Sequence, residues 1–330
     1  MTTKVKKFLT KILPCVISFG ILVYFCVKDG NIWTLVNILP RLGLAYLFLA
    51  IFSMFTYWIL DSIILKKLLP EFDNSILKYL RVTIYGQFYA AITPFSSGSQ
   101  ASQVIFLKSK GISAGRSISV LSQKFFISQL CTVLISSLSI IFKSQEFKNR
   151  IPGFTFFTLM GLSIQCSGIV AILLFYLNKK RLMNFIFLFL KLAKKMNIVN
   201  NPEKLKTRIE NQLNFLMENN LSVNCGPGVY VYSFLQNICL CLVPFFISKS
   251  FGNPGFLIVD FIAAQTFVNL LSSANPLPGS AGTTEGSFLL LYEKFFKQKN
   301  ISPAMILSRL INYYLGILIG LFVVTKNKKK

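Results

Sequence analysis

Long apolar runs alternate with short basic linkers along this chain. A helical bilayer crossing takes about 20 consecutive apolar residues. Six segments read as full crossings: 8–27, 43–65, 116–142, 153–177, 229–250 and 303–325. The first carries Lys11 and Pro14 and lacks a small-residue cleavage site, so it reads as a retained helix rather than a signal peptide. Two further apolar segments are interrupted: "TPFSSGS" (93–99) breaks 78–110, and "NPLPGSAG" (275–282) breaks 256–299. Each is either a crossing followed by a loop or a re-entrant hairpin that leaves on the side it entered.

The basic residues choose between these, because cytoplasmic loops collect Lys and Arg. If all eight segments cross, 16 such residues fall inside and 17 outside, and the most basic loop, 179–208, lies outside. If both interrupted segments are hairpins, 24 fall inside and 9 outside. The expectation is therefore two hairpins, with both termini cytoplasmic. Crossing, hairpin, crossing then occurs twice, over about 43–142 and about 229–325, in opposite orientations. That is the inverted repeat of many secondary transporters. The predicted fold class is an all-α polytopic membrane protein. A single integral domain over 1–330 holds about six full transmembrane helices plus two re-entrant helical hairpins.

An insert, 178–226, separates the repeats. "RLMNFIFLFLKLAKK" (181–195) is too short and too basic at its ends to cross, and predicts a helix lying in the cytoplasmic interface. In "PEKLKTRIENQLNFLMENN" (202–220), Leu205, Ile209, Leu213 and Leu216 share one helical face, which predicts a surface helix packed on something apolar.

Composition removes several function classes. With 53% of its 330 residues hydrophobic, the chain's net charge of +24 reads as flanking lysines and contacts to anionic lipid, not as a nucleic-acid surface. There is no His, so Ser-His-Asp and Cys-His catalysis and a His-ligated metal are excluded within this chain. The seven Cys are scattered without a CxxC, and most sit in apolar runs as small hydrophobes. No GxxxxGK[ST] is present, so the chain lacks a Walker-type ATP site. No cofactor is expected.

Candidate chemistry gathers at the two breaks. Interrupted helices in lipid are tolerated only where protein or a wet cavity receives the freed backbone groups. The breaks are therefore either plain hairpin tips or tips that contact a substrate. Polar residues follow both: Ser97, Ser99, Gln100 and Gln103 after the first, and Thr283, Thr284 and Glu285 after the second. Helices beginning there point free N–H groups into a pocket, and a phosphate is the natural guest. The charges within apolar runs are Asp61, Lys124, Asp260, Glu285 and Arg309. Each costs about 2.5–3.5 kcal/mol at mid-depth unless paired or hydrated. Glu285 either caps the returning arm or meets a cation. Arg309 pairs structurally or functionally, with Glu285 within reach. Lys124 either snorkels to the interface or faces the pocket.

"TPFSSGSQASQVIFLKSKGIS" (93–113), "SQKFFISQL" (122–130), "NPLPGSAGTTEGSFLLLYEKFF" (275–296) and "SRLINYYLGILIG" (308–320) resemble the transmembrane domain of lysylphosphatidylglycerol synthases. This is the membrane half of the multiple peptide resistance factor. The wider set includes stand-alone flippase-like proteins and relatives linked to dolichol-type glycosylation. The family pattern is a Pro-containing break with Gly-Gly-Glu or Gly-Gly-Gln, then Pro-x-Pro-Gly-Gly-x-Gly-x-x-Glu-Gly, then an Arg in the last helix. Pro94, Gly98, Gln100 and Gln103 fall on the first motif. Pro276, Pro278, Gly279, Gly282, Glu285 and Gly286 fall on the second, and Arg309 on the third. Ser99 and Ser280 stand where the family has Gly, and Gln100 where many members have Glu.

The resemblance implies an integral membrane flippase-like transporter in the bacterial cell membrane. Its cargo would be an anionic or aminoacylated phospholipid of the lysyl-phosphatidylglycerol type, and its role would be linked to cationic-peptide resistance. Thr93, Pro94, Gly98, Gln100, Gln103 and Lys124 form the first part of the expected substrate site. Asn275, Pro278, Gly279, Gly282, Glu285 and Arg309 form the second. The alternatives are a phosphatidylglycerol lysyltransferase and a transporter of polyprenyl-phosphate-linked sugar. The first would need the soluble transferase domain of the two-part members, for which these residues offer no counterpart. The expected partner is membrane phospholipid and not nucleic acid. A homo-oligomer and a separate lipid-modifying enzyme are both compatible with the sequence.

Overall fold

A computed structural model describes residues 36–148, 151–177, 226–253 and 255–328, with Gly20, Tyr24 and Glu203 as isolated positions. The crossing expected at 8–27 and the two insert helices lie, apart from those positions, outside the described residues. Among the described residues there is no strand. Four stretches are long and apolar enough to cross a membrane: Leu44–Leu68, Ala114–Lys148, Pro227–Ser250 and Gln298–Lys326. They coincide with four of the expected crossings, and the protein is an all-α polytopic membrane protein.

In chain order the helices are α1 (Leu44–Leu68), α2 (Ile76–Ile92), α3 (Gly98–Ser109), α4 (Ala114–Lys148) and α5 (Phe154–Leu177). The second half follows as α6 (Pro227–Ser250), α7 (Ile258–Ser272), α8 (Thr283–Leu291), α9 (Gln298–Arg309) and α10 (Leu315–Lys328). A π-turn at Leu310–Tyr314 joins the last two. The pairs α2–α3 and α7–α8 fold back on themselves, each arm packed on the other. At 1.5 Å per residue, α3 with 12 residues and α8 with 9 reach only about 18 and 14 Å, too short for a hydrocarbon core of about 30 Å. Both interrupted segments are thus hairpins.

The halves pack reciprocally. The first helices, α1 and α6, lie along each other as the most extensive contact in the molecule. The first hairpin's arm α2 packs on α10, the last helix of the other half, and α7 packs on α4. The two break turns touch each other.

The long helix α4 fixes how the hairpins face. Near its start, Arg116 Nε donates to Glu71 at 2.6 Å, in the turn that opens the first hairpin. Near its end, Lys143 pairs with Asp260 at 2.8 Å and Glu146 with Lys294 at 2.7 Å, at the two feet of the second hairpin. Arg116 and Lys143 are about 40 Å apart along the helix. The hairpin mouths therefore sit at opposite ends of α4 and the tips meet between them.

Each break begins on a proline, which lacks the N–H that would continue a helix. Pro94–Ser96 and Pro278–Ser280 are single 3-10 turns. The two residues after each proline's own position repeat a left-handed pair: Phe95 and Ser96 at φ 52° and 54°, Gly279 and Ser280 at φ 61° and 50°. Beyond these pairs the breaks diverge: Ser97 is helical at ψ -21° where Ala281 is extended at ψ 140°, and Gly282 has φ 89° where Gly98 already opens α3.

Candidate functional site

A polar residue shortly before each turn, Thr93 and Asn275, ties it. Thr93 Oγ1 donates to Tyr89 O at 2.7 Å and accepts from Gly98 N at 2.8 Å. Asn275 Nδ2 donates to Ala281 O and Thr283 Oγ1, both at 2.9 Å, and its Oδ1 accepts from Leu277 N at 2.9 Å. These bonds receive backbone groups that a helix break would otherwise strand in lipid.

Where the tips meet, three cavities adjoin, and Ser96 lines all of them. The largest, about 500 Å³, includes Gln87, Gln100, Gln103, Lys124 and Asp61 in its wall and is called the Lys124 lobe. A second, about 330 Å³, includes Gly279, Thr284, Arg309 and Asn312 and is called the Arg309 lobe. A neck of about 100 Å³ between Gln87, Ala91, Gly279 and Tyr313 connects them.

Each lobe holds one ion pair, buried at Arg309 and part-buried at Lys124. In the Arg309 lobe, Arg309 Nε donates to Glu285 Oε1 at 2.7 Å and Nη2 donates to Gly279 O at 2.9 Å. Its guanidinium lies 4.9 Å from the centre of the Tyr313 ring, a cation–π contact. Glu285 is 0% exposed, and its Oε2 accepts from Gly282 N at 2.7 Å. One carboxylate thus caps α8 and neutralises Arg309 together. Tyr313 OH donates to Ala91 O at 2.7 Å, binding the end of α2 to the other half. The π-turn carries Asn312 and Tyr313 onto the cavity wall; such turns often mark functional sites. Asn312 Oδ1 is buried without a hydrogen-bond donor among the described residues.

In the Lys124 lobe, Lys124 Nζ pairs with Asp61 Oδ2 at 2.5 Å. Thr83 Oγ1 donates to the same oxygen at 2.8 Å, and Gln236 Nε2 donates to Oδ1 at 3.0 Å. Asp61 is 6% exposed and gathers donors from α2, α4 and α6, hence from both halves. Lys124 faces the pocket rather than snorkelling away.

The chain has relatives among known proteins. It matches the family described as "Lysylphosphatidylglycerol synthase TM region" over residues 11–320. The chain belongs to this family. It is also similar to a "UPF0104 membrane protein" of Archaeoglobus fulgidus, 24% identical over 303 residues, covering 86% of this chain and 87% of that relative.

Of the residues expected in the family's substrate site, Gln100, Gln103 and Lys124 line one lobe and Gly279 and Arg309 the other. Thr93, Pro94, Gly98, Asn275, Pro278, Gly282 and Glu285 stand behind the described cavity walls, where they shape the turns or hold Arg309. Sequence reasoning noted Asp61 as a buried charge but gave it no place in the site. It missed Gln236, Gln87, Asn312 and Tyr313. Asp61 and Lys124 are 63 positions apart, and only helix packing pairs them.

Proposed function

We propose that this protein is a flippase-like lipid transporter that carries the head group of an anionic or aminoacylated phospholipid through the chamber between its two hairpins. The observation that carries this reading is the pair of polar lobes, each with an ion-paired cation in its wall, adjoining where the two hairpin tips meet. The phosphate would lie among Lys124, Arg309, the tip hydroxyls and the glutamine amides. Lys124 and Arg309 occupy corresponding helices of the two halves, so a head group passing the neck leaves one cation for the other. Glu285 would act on the head group through Arg309, because both its oxygens are already engaged.

The acyl chains would stay in the bilayer. An apolar groove of about 260 Å³ between α4, α6 and α7, walled by residues such as Leu138, Phe142, Phe234 and Ile262, fits a chain lying beside the protein. Rocking of one half on the other would open the lobes to opposite leaflets in turn. Membership of the lysylphosphatidylglycerol synthase membrane-region family supports lysyl-phosphatidylglycerol as cargo, and through it a role in resistance to cationic peptides. The Lys/Arg distribution supports both termini on the cytoplasmic side, and the family resemblance is what supports a bacterial cell membrane.

The test uses purified protein in vesicles with fluorescent phosphatidylglycerol confined to one leaflet. The wild-type chain is expected to speed its appearance in the other leaflet, and Lys124→Ala and Arg309→Ala to lower that rate at least about tenfold, the loss of one good charge-assisted contact. Wild-type rates in both variants would remove the site assignment.

A further inference from the structure

The two ion pairs differ in a way that bears on what drives transport. Arg309 is held by a carboxylate, a backbone carbonyl and an aromatic ring at once. Lys124 has the Asp61 carboxylate as its ion-pair partner, in the larger lobe, and its side chain is 13% exposed. Asp61 is in turn the acceptor on which α1, α2, α4 and α6 converge. A carboxylate in such a place cannot lose its counter-ion cheaply, and Lys124 cannot lose Asp61. Breaking a buried pair by removing one partner costs about 3–5 kcal/mol.

We infer that Asp61 is a proton-coupling site, taking up one proton whenever a phosphodiester head group binds Lys124, so that the lipid and a proton cross together. The proposal rests on the transporter reading above. Its basis is charge balance. Before binding, the Asp61 carboxylate and the Lys124 ammonium sum to zero. A phosphodiester brings one negative charge to the ammonium. If a proton then adds to a carboxylate oxygen of Asp61, the cluster again sums to zero, with no bond made or broken except that O–H. Without the proton, two anions would crowd one cation in a low-dielectric chamber. Proton and head group therefore favour each other's binding, and reciprocally so.

The neighbours suit that exchange. The titratable groups facing Asp61 are Lys124 from α4 and Tyr57 from its own helix, which shares the wall of the lobe. The helices α2 and α6 present Thr83 and Gln236, which do not titrate and whose hydroxyl and amide can donate or accept as Asp61 changes state. The π-turn packed on α1 contributes Tyr313, whose hydroxyl is bonded to Ala91 O. Gln236 lies in the second half and the other partners in the first, so the proton alters a bond that spans the rocking interface.

Calorimetry in buffers of different ionisation enthalpy counts protons taken up as dihexanoyl-phosphatidylglycerol binds. The wild-type protein is expected to take up about one proton per lipid and to bind about tenfold more weakly per pH unit across the range in which that proton is taken up. Asp61→Asn is expected to abolish the uptake and flatten that pH dependence. Asp61→Asn/Lys124→Gln, which removes both charges, serves if the single variant does not fold, and is expected to lose the uptake too. Binding with no proton uptake in the wild type, or uptake that survives either variant, overturns the proposal. Glycerophosphoglycerol, the same phosphodiester without acyl chains, is expected to bring the same proton; uptake with the lipid alone would restrict the coupled ligand to lipid and still support it.

If the wild type binds no lipid, the transporter reading fails separately. The proton site is then judged by fluorescence of Trp58, one turn from Asp61, in a Trp33→Phe background. Ser62 Oγ joins Trp58 O, at 2.7 Å, to Thr83, at 3.2 Å. A pH step that Asp61→Asn/Lys124→Gln removes supports the site; no step, or a step that persists, overturns it.

Discussion

Glu285 divides its carboxylate between two tasks, and that division sets what its loss would do. One oxygen satisfies the Gly282 N–H at the start of α8; the other neutralises Arg309. Arg309→Ala leaves a fully buried carboxylate uncompensated and is expected to destabilise the protein by about 3–5 kcal/mol. Replacing Glu285 and Arg309 together by methionine is expected to recover much of that loss, because no unpaired charge remains. A double-mutant cycle read by thermal unfolding in detergent checks both. Ser280 presents the opposite case. It holds φ 50° where an L side chain is strained by about 1–2 kcal/mol. Ser280→Gly is expected to raise stability by about 0.5–1 kcal/mol after the glycine's own entropic cost. An unchanged melting temperature would show that the turn is not strained at this residue.

At the scale of elements, the hairpins depend on close approach and on their stapled mouths. A Cβ on Gly161 would press on the Leu270 backbone, 2.8 Å from its carbonyl carbon, and backbone cannot swing aside as a side chain can. Gly161→Ala is therefore expected to push α5 off α7 and cost about 1–3 kcal/mol, measured by denaturation. The mouth of the first hairpin is sensitive to acid. Burial alone would raise the Glu71 carboxyl, but the Arg116 guanidinium outweighs it and holds it below the ordinary 4.5. A lowered carboxyl contributes stability above its unfolded value, and the contribution disappears as pH falls through the folded value. Amide exchange in 69–76 is expected to quicken below about pH 4.5 relative to Glu71→Gln, which lacks the charge at every pH.

For the whole molecule, the decisive claim is that the hairpin mouths face opposite sides. Asn74→Cys and Lys297→Cys lie on exposed turns beside the two mouths. In a cysteine-free background, a membrane-impermeant maleimide is expected to reach one from outside intact cells and the other only from the cytoplasmic side. Labelling of both from the same side would end the inverted arrangement and the transport cycle built on it.

Hydrophobic run lengths and the prolines at Pro94 and Pro278 were enough to place four of the crossings and the two breaks. These are local properties: a helix needs only its own residues to be apolar, and a proline acts on its own turn. The Glu285–Arg309 pair was also legible, because a short turn separates their helices. Three-dimensional packing decided the rest. Asp61 meets Lys124 and Gln236 only because α1, α4 and α6 lie side by side, and Tyr313 reaches Ala91 across 222 positions only because the halves interlock. Spacing along the chain carries no trace of such meetings. The energy of a buried charge depends on what surrounds it in space, and sequence supplies the charge without its surroundings.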